Sequence, residues 1–107
     1  MTTMESLTEQ REDLRRPCFF MAVDYVTDNH VFTESIQDIS TNGLFIETRK
    51  PLPVGTNINM VFTDYDKLRV IKISGNVIRA TSDGIAVKFI FDNQRQETVI
   101  QSFVRSI

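Results

Sequence analysis

The chain has 107 residues, 41% of them hydrophobic and 24% charged, which is the size and composition of one globular domain and excludes disordered, collagen-like and low-complexity classes. Its formal charge of -2 excludes bulk electrostatic binding to nucleic acid, and its single Cys and single His exclude a disulfide framework and an ordinary zinc site. No apolar run reaches the ~18 residues of a membrane span, and residues 1–16 carry no apolar signal core, so the sequence reads as a cytoplasmic domain with no membrane insertion.

Residues 1–17 read as an N-terminal arm. Thr2 and Glu5 fit a capping box for a short helix, and Pro17 ends it. The run Arg11-Glu12-Asp13-Leu14-Arg15-Arg16 is the one local charge cluster. From Phe19 the texture changes to strands, rich in aromatic and β-branched residues. Phe19–Val26 and Val31–Ile39 flank turn residues 27–30, with Phe32, Glu34, Ile36 and Asp38 expected on one side. Residues 40–43 (Ser-Thr-Asn-Gly) form a turn in which Asn42 and Gly43 tolerate positive φ. Leu44–Thr48 is a third strand, Arg49 to Gly55 a loop, and Asn57–Thr63 a clean alternation. Leu68–Ala80 is long for one strand, and Gly75 inside it predicts a bulge or bend. Ile85, Val87, Phe89 and Phe91 line one face of a sixth strand. The period then changes: Val99, Phe103 and Ile107 form a stripe with Ile100 and Val104 beside it, and Asn93 with Gln96 is a capping box, so a helix covers about 94–106. Six short antiparallel strands predict a small closed barrel over residues 18–107, with the helix across its mouth.

No catalytic pattern is present, and the chain is read as a non-enzyme. His30 stands in a turn without a nucleophile or orienting group. Cys18 reads as a small apolar side chain. Asp64 and Asp66 read as solvated hairpin residues, short of the oxygen ligands that a metal requires. One constellation stands out. Arg11-x-x-x-Arg15 is followed, after 22 intervening residues, by Asp38-x-Ser40-x-x-Gly43. Each half is common; both together in this order and spacing arise in about one chain in a thousand from ordinary residue usage.

This arrangement resembles the PilZ domain family, receptors for the second messenger cyclic di-GMP. Further stretches look like the family: Arg15-Arg16-Pro17 before the first strand, residues 38–46 as a strand pair, residues 52–56 before the fourth strand, and residues 75–79 and 84–89 as the last two strands. Ala86 stands where family members usually carry Gly. The resemblance implies a six-stranded antiparallel β-barrel with a following helix, and a ligand site of Arg11, Arg15, Arg16, Asp38, Ser40 and Gly43.

The residue types suit that ligand. A planar guanidinium bonds phosphate oxygens bidentately, reads guanine O6 and N7, and stacks on a purine. Arg11 and Arg15 would supply such contacts, with Arg16 as a third. The Asp38 carboxylate would accept from guanine N1–H and N2–H₂, Ser40 would bond a base or phosphate, and Gly43 would let ligand and backbone approach. The expected mechanism is a flexible arm that orders on the ligand and re-presents the surface to a protein effector, the chain being monomer or homodimer. No cofactor is expected beyond the ligand. A ligand-independent protein–protein adaptor is the alternative reading.

Overall fold

The computed structural model describes residues 15–18 and 21–107. The strands are β1 (Arg16–Pro17), β2 (Ala22–Thr27), β3 (His30–Ile39), β4 (Gly43–Glu47), β5 (Asn57–Asp64), β6 (Arg69–Ala80) and β7 (Gly84–Ile90), followed by helix α1 (Gln94–Ser106). All pairings are antiparallel, in the order β1-β3-β2-β5-β6-β7-β4, with β3 also paired to β4. Strands β2 to β7 therefore close into a six-stranded barrel, and β1 is an extra strand on the edge of β3.

The barrel consists of two three-stranded meanders, β2–β3–β4 and β5–β6–β7. Local hairpins build each one. Asp28 and Asn29 both adopt positive φ (47° and 71°), the twist of a two-residue turn that matches paired strands. Two long-range seams join the meanders: β2 with β5, in register at Tyr25–Met60, and β4 with β7, in register at Ile46–Ile85. Alternate residues point inward, so Val23, Tyr25, Ile58, Met60, Ile71, Ile73, Ile85 and Val87 fill the interior.

Two bulges interrupt the alternation. Gln37 is an extra residue in β3 against β4, and Ile78 is one in β6 against β7. The first changes the expected phase of β3: Ile36 and Ile39 both enter the core, while Asp38 turns to the outer surface instead of sharing the side of Ile36. The bulge in β6 falls at Ile78 and not at Gly75. Gly75 is small for packing reasons, because a Cβ there would run into Val87 Cγ1 and Met60 Cε.

The first barrel strand begins at Ala22, later than the expected Phe19, and Arg16–Pro17 pair separately with Ile39 and Asp38. Helix α1 has the expected bounds. Asn93 Oδ1 accepts from Gln96 N (2.9 Å), and Gln96 returns the bond to Asp92 N (2.7 Å) while its amide donates to Lys72 O (2.8 Å). Ile100, Phe103 and Val104 cover the barrel mouth, with the Phe103 ring 5.7 Å from that of Phe62. No described helix is long and apolar enough to cross a membrane.

Candidate functional site

The β4–β7 seam starts at the turn between β3 and β4. Ser40 is fully buried; its hydroxyl accepts from Asn42 N (3.2 Å), and its N–H donates to Gly43 O (2.8 Å). Across the seam, Phe89 N donates to Asn42 O (2.8 Å). Gly43 pairs with Lys88, and a Cβ on it would collide with the Val87 carbonyl oxygen. Its φ is not positive, contrary to the sequence expectation for this turn. The residue is glycine because two backbones meet here without room for a side chain.

Arg15 reaches this corner from the start of β1. Its Nη1 donates to Asp38 Oδ1 (3.3 Å) and to Gly43 O (3.2 Å). Both ends of the ion pair are well exposed, at 40% and 31%. A pair so solvated contributes at most about 1 kcal/mol, so an incoming anion can exchange with it at little cost. Beside it lies a cavity of about 290 Å³ lined by Arg15, Asn42, Gly43, Ile78, Val87 and Lys88. The first meander and the arm supply the first three residues, and the second meander supplies the rest.

Arg15, Asp38, Ser40 and Gly43 thus come together. Arg16 does not join them: its Nη1 donates to Ile107 O (3.2 Å), at the far end of α1. Arg11 and the capping box at Thr2 and Glu5 lie outside the described residues. Lys88 was not named in the sequence reading, although alternation in β7 between inward Val87 and Phe89 already sends it outward. Cys18 sits under the corner, its N–H donating to Gln37 O (2.9 Å); burial, reinforced by the charge of Asp38, pushes its thiol up to about 11. Asp64 is a correction. It is buried, not solvated, and accepts from Arg69 Nε (3.0 Å) and Lys67 N (3.3 Å).

The family model for the PilZ domain matches residues 9–106. The fold is similar to the crystal structure of the PilZ domain of CeSA from a cellulose-synthesizing bacterium, at TM-score 0.74 and 18% identity, over 87% of this chain and 96% of that one. It is also similar to an uncharacterized Legionella protein, at TM-score 0.56 and 16% identity, over 87% of this chain and 91% of that one. No curated protein matches the sequence.

Proposed function

The chain belongs to the PilZ domain family, and from that premise we propose that it is a cyclic di-GMP receptor whose ligand binds at the β3–β4 corner and alters the surface shown to a protein effector. The observation that carries this reading is the convergence of Arg15 and Asp38 beside a seam cavity with Lys88 at its rim. Two phosphodiesters need fixed positive charge, which Arg15 and Lys88 supply, and a guanine edge needs a carboxylate acceptor, which Asp38 supplies.

The ligand would work by exchange. A phosphate or a guanine edge takes over the Arg15 guanidinium from Asp38, and the freed carboxylate accepts from guanine N1–H and N2–H₂. Ser40 and Gly43 act as positioning residues, one bracing the turn and the other allowing the seam to close. Arg11, four residues before Arg15 in the sequence, would follow it onto the ligand. An affinity in the micromolar to submicromolar range is expected, with any arm ordering on the ligand offsetting part of the interaction energy.

Calorimetric titration of the purified chain tests the reading, with GTP and cyclic di-AMP as controls. Saturable heat is expected for cyclic di-GMP alone. Arg15→Ala removes a charge-assisted contact and is expected to weaken binding by about tenfold to a hundredfold. Lys88→Ala is expected to weaken it less and to flatten its salt dependence. Absence of heat with a folded chain rejects the receptor and leaves a PilZ adaptor that works through protein contacts alone.

A further inference from the structure

Strand β3 is covered unequally on its two edges. Along one edge it pairs with β2 from His30 to Ser35. Along the other, β4 covers it only from Ile39 back to Ser35. There the chain leaves: Thr48 donates through its N–H to Asp83 O (3.1 Å) and through its hydroxyl to Glu34 Oε2 (3.1 Å). The stretch His30–Thr33 therefore has a strand neighbour on one edge only, among the described residues. Ladder alternation fixes which groups face the open side. Ile36 N donates toward β2, to Met21 O (2.9 Å), so the odd-numbered residues Val31 and Thr33 direct their N–H and C=O outward. They open beside a groove of about 980 Å³ whose walls include Phe32, Glu34, Thr48, Arg49, Lys50 and Asp83.

Exposed edges are normally guarded by a charge, a proline or a bulge. His30-Val31-Phe32-Thr33 has none of these, and the β3 bulge lies at Gln37, inside the closed part. The outer face beside the edge carries an exposed apolar pair next to the hydrogen-bonded Thr33 and Asp24. Val31 is 69% exposed and pairs with the exposed Val26, and Val61 lies diagonally beyond Val26 on β5, opposite Asp24.

We propose that this edge is closed by the same edge of a second copy of the chain, as an antiparallel β3–β3 ladder about a two-fold axis at Val31. An edge pairs with its own copy in this isologous way only if the strands run antiparallel. The register follows from what is already occupied. A centre at Phe32 would set the partner's His30 against Glu34, where Thr48 already stands. A centre at Val31 sets it against the partner's Val31, so the two exchange both backbone hydrogen bonds, and His30 faces the partner's Phe32. The Asp28–Asn29 turn ends each strand before it reaches Thr48. The Val26–Val31 pair then meets its own mate, and apolar side chains that each copy leaves in water cover one another.

Sedimentation equilibrium on the full chain tests this, independently of any ligand. A concentration-dependent dimer is expected. Val31→Lys sets two ammonium groups opposite each other and is expected to raise the dissociation constant by at least about tenfold, with the melting temperature unchanged at concentrations where both chains are monomeric. Val31→Cys provides a second readout. A hydrogen-bonded cross-strand pair lies about 5.5 Å apart at Cα, within disulfide reach, so mild oxidation is expected to trap a covalent dimer. Val70→Cys, at another well-exposed strand position, serves as the collisional control. A chain that stays monomeric throughout, or Val31→Cys cross-linking no faster than Val70→Cys, overturns the proposal.

Discussion

Asp38 and Asp64 show how one functional group serves two purposes. Asp64 is buried against Arg69 and the Lys67 amide, a fixed arrangement that holds the β5–β6 hairpin. Asp38 is half-exposed, and its bond to Arg15 is weak enough to exchange. The sequence marks Asp38 as a strand-end carboxylate and Asp64 as a solvated hairpin residue; that Asp64 is the buried one was not legible, because burial depends on a partner brought by the fold. Arg15 and Arg16 are a similar case. They are chemically identical, yet successive positions along an extended chain point to opposite sides, so one reaches Asp38 and the other reaches Ile107. Cys18 lends itself to a direct check. Its thiol is raised to about 11 from 9.0, so it should resist alkylation at pH 8 in the folded chain and react on unfolding. The sign of its pH effect follows: above pH 9 the unfolded chain releases the thiol proton before the folded chain does. Stability should therefore fall as pH rises from about 9 to 11, measured as a declining denaturation midpoint.

At the scale of elements, periodicity carried most of the information. The bounds of α1 were readable because Asn93 and Gln96 form a real cap and the apolar stripe has a single period. The strand alternations of β5 and β7 were equally plain. Bulges were not readable, since one inserted residue looks the same in sequence as a strand that ends and restarts. Gln37 and Ile78 flank the candidate site from either side of the seam, which is where a local kink can aim a side chain. Gly43 is read in the sequence as a turn glycine, whereas in the structure the close approach of β7 excludes a side chain and turn conformation does not require the glycine. Gly43→Ala should therefore lower stability by roughly 1–3 kcal/mol through overpacking, and weaken the ligand as well. Urea unfolding, compared with wild type at equal slope, measures the first effect.

For the molecule as a whole, hairpin order was written along the chain, whereas the partners across the two seams were not. Barrel closure follows in the sequence from six short strands that need their edges covered and from the family resemblance, and the structure bears it out. The uncovered part of β3 is the exception. A ligand at one hundred times its dissociation constant should stabilise the chain by about 2.7 kcal/mol, seen as a rise in melting temperature that Arg15→Ala cuts to the equivalent of about 0.4–1.4 kcal/mol at the same ligand concentration. The seam has a kinetic consequence too. β4 and β7 are far apart in sequence, and their docking must await two finished meanders, the slow part of folding for a chain rich in non-local contacts. Arg15 and Asn42 belong to one meander and Val87 and Lys88 to the other. Such a site exists only after docking, so the messenger would act as a clasp: it would leave the folding rate alone and slow the opening of the barrel.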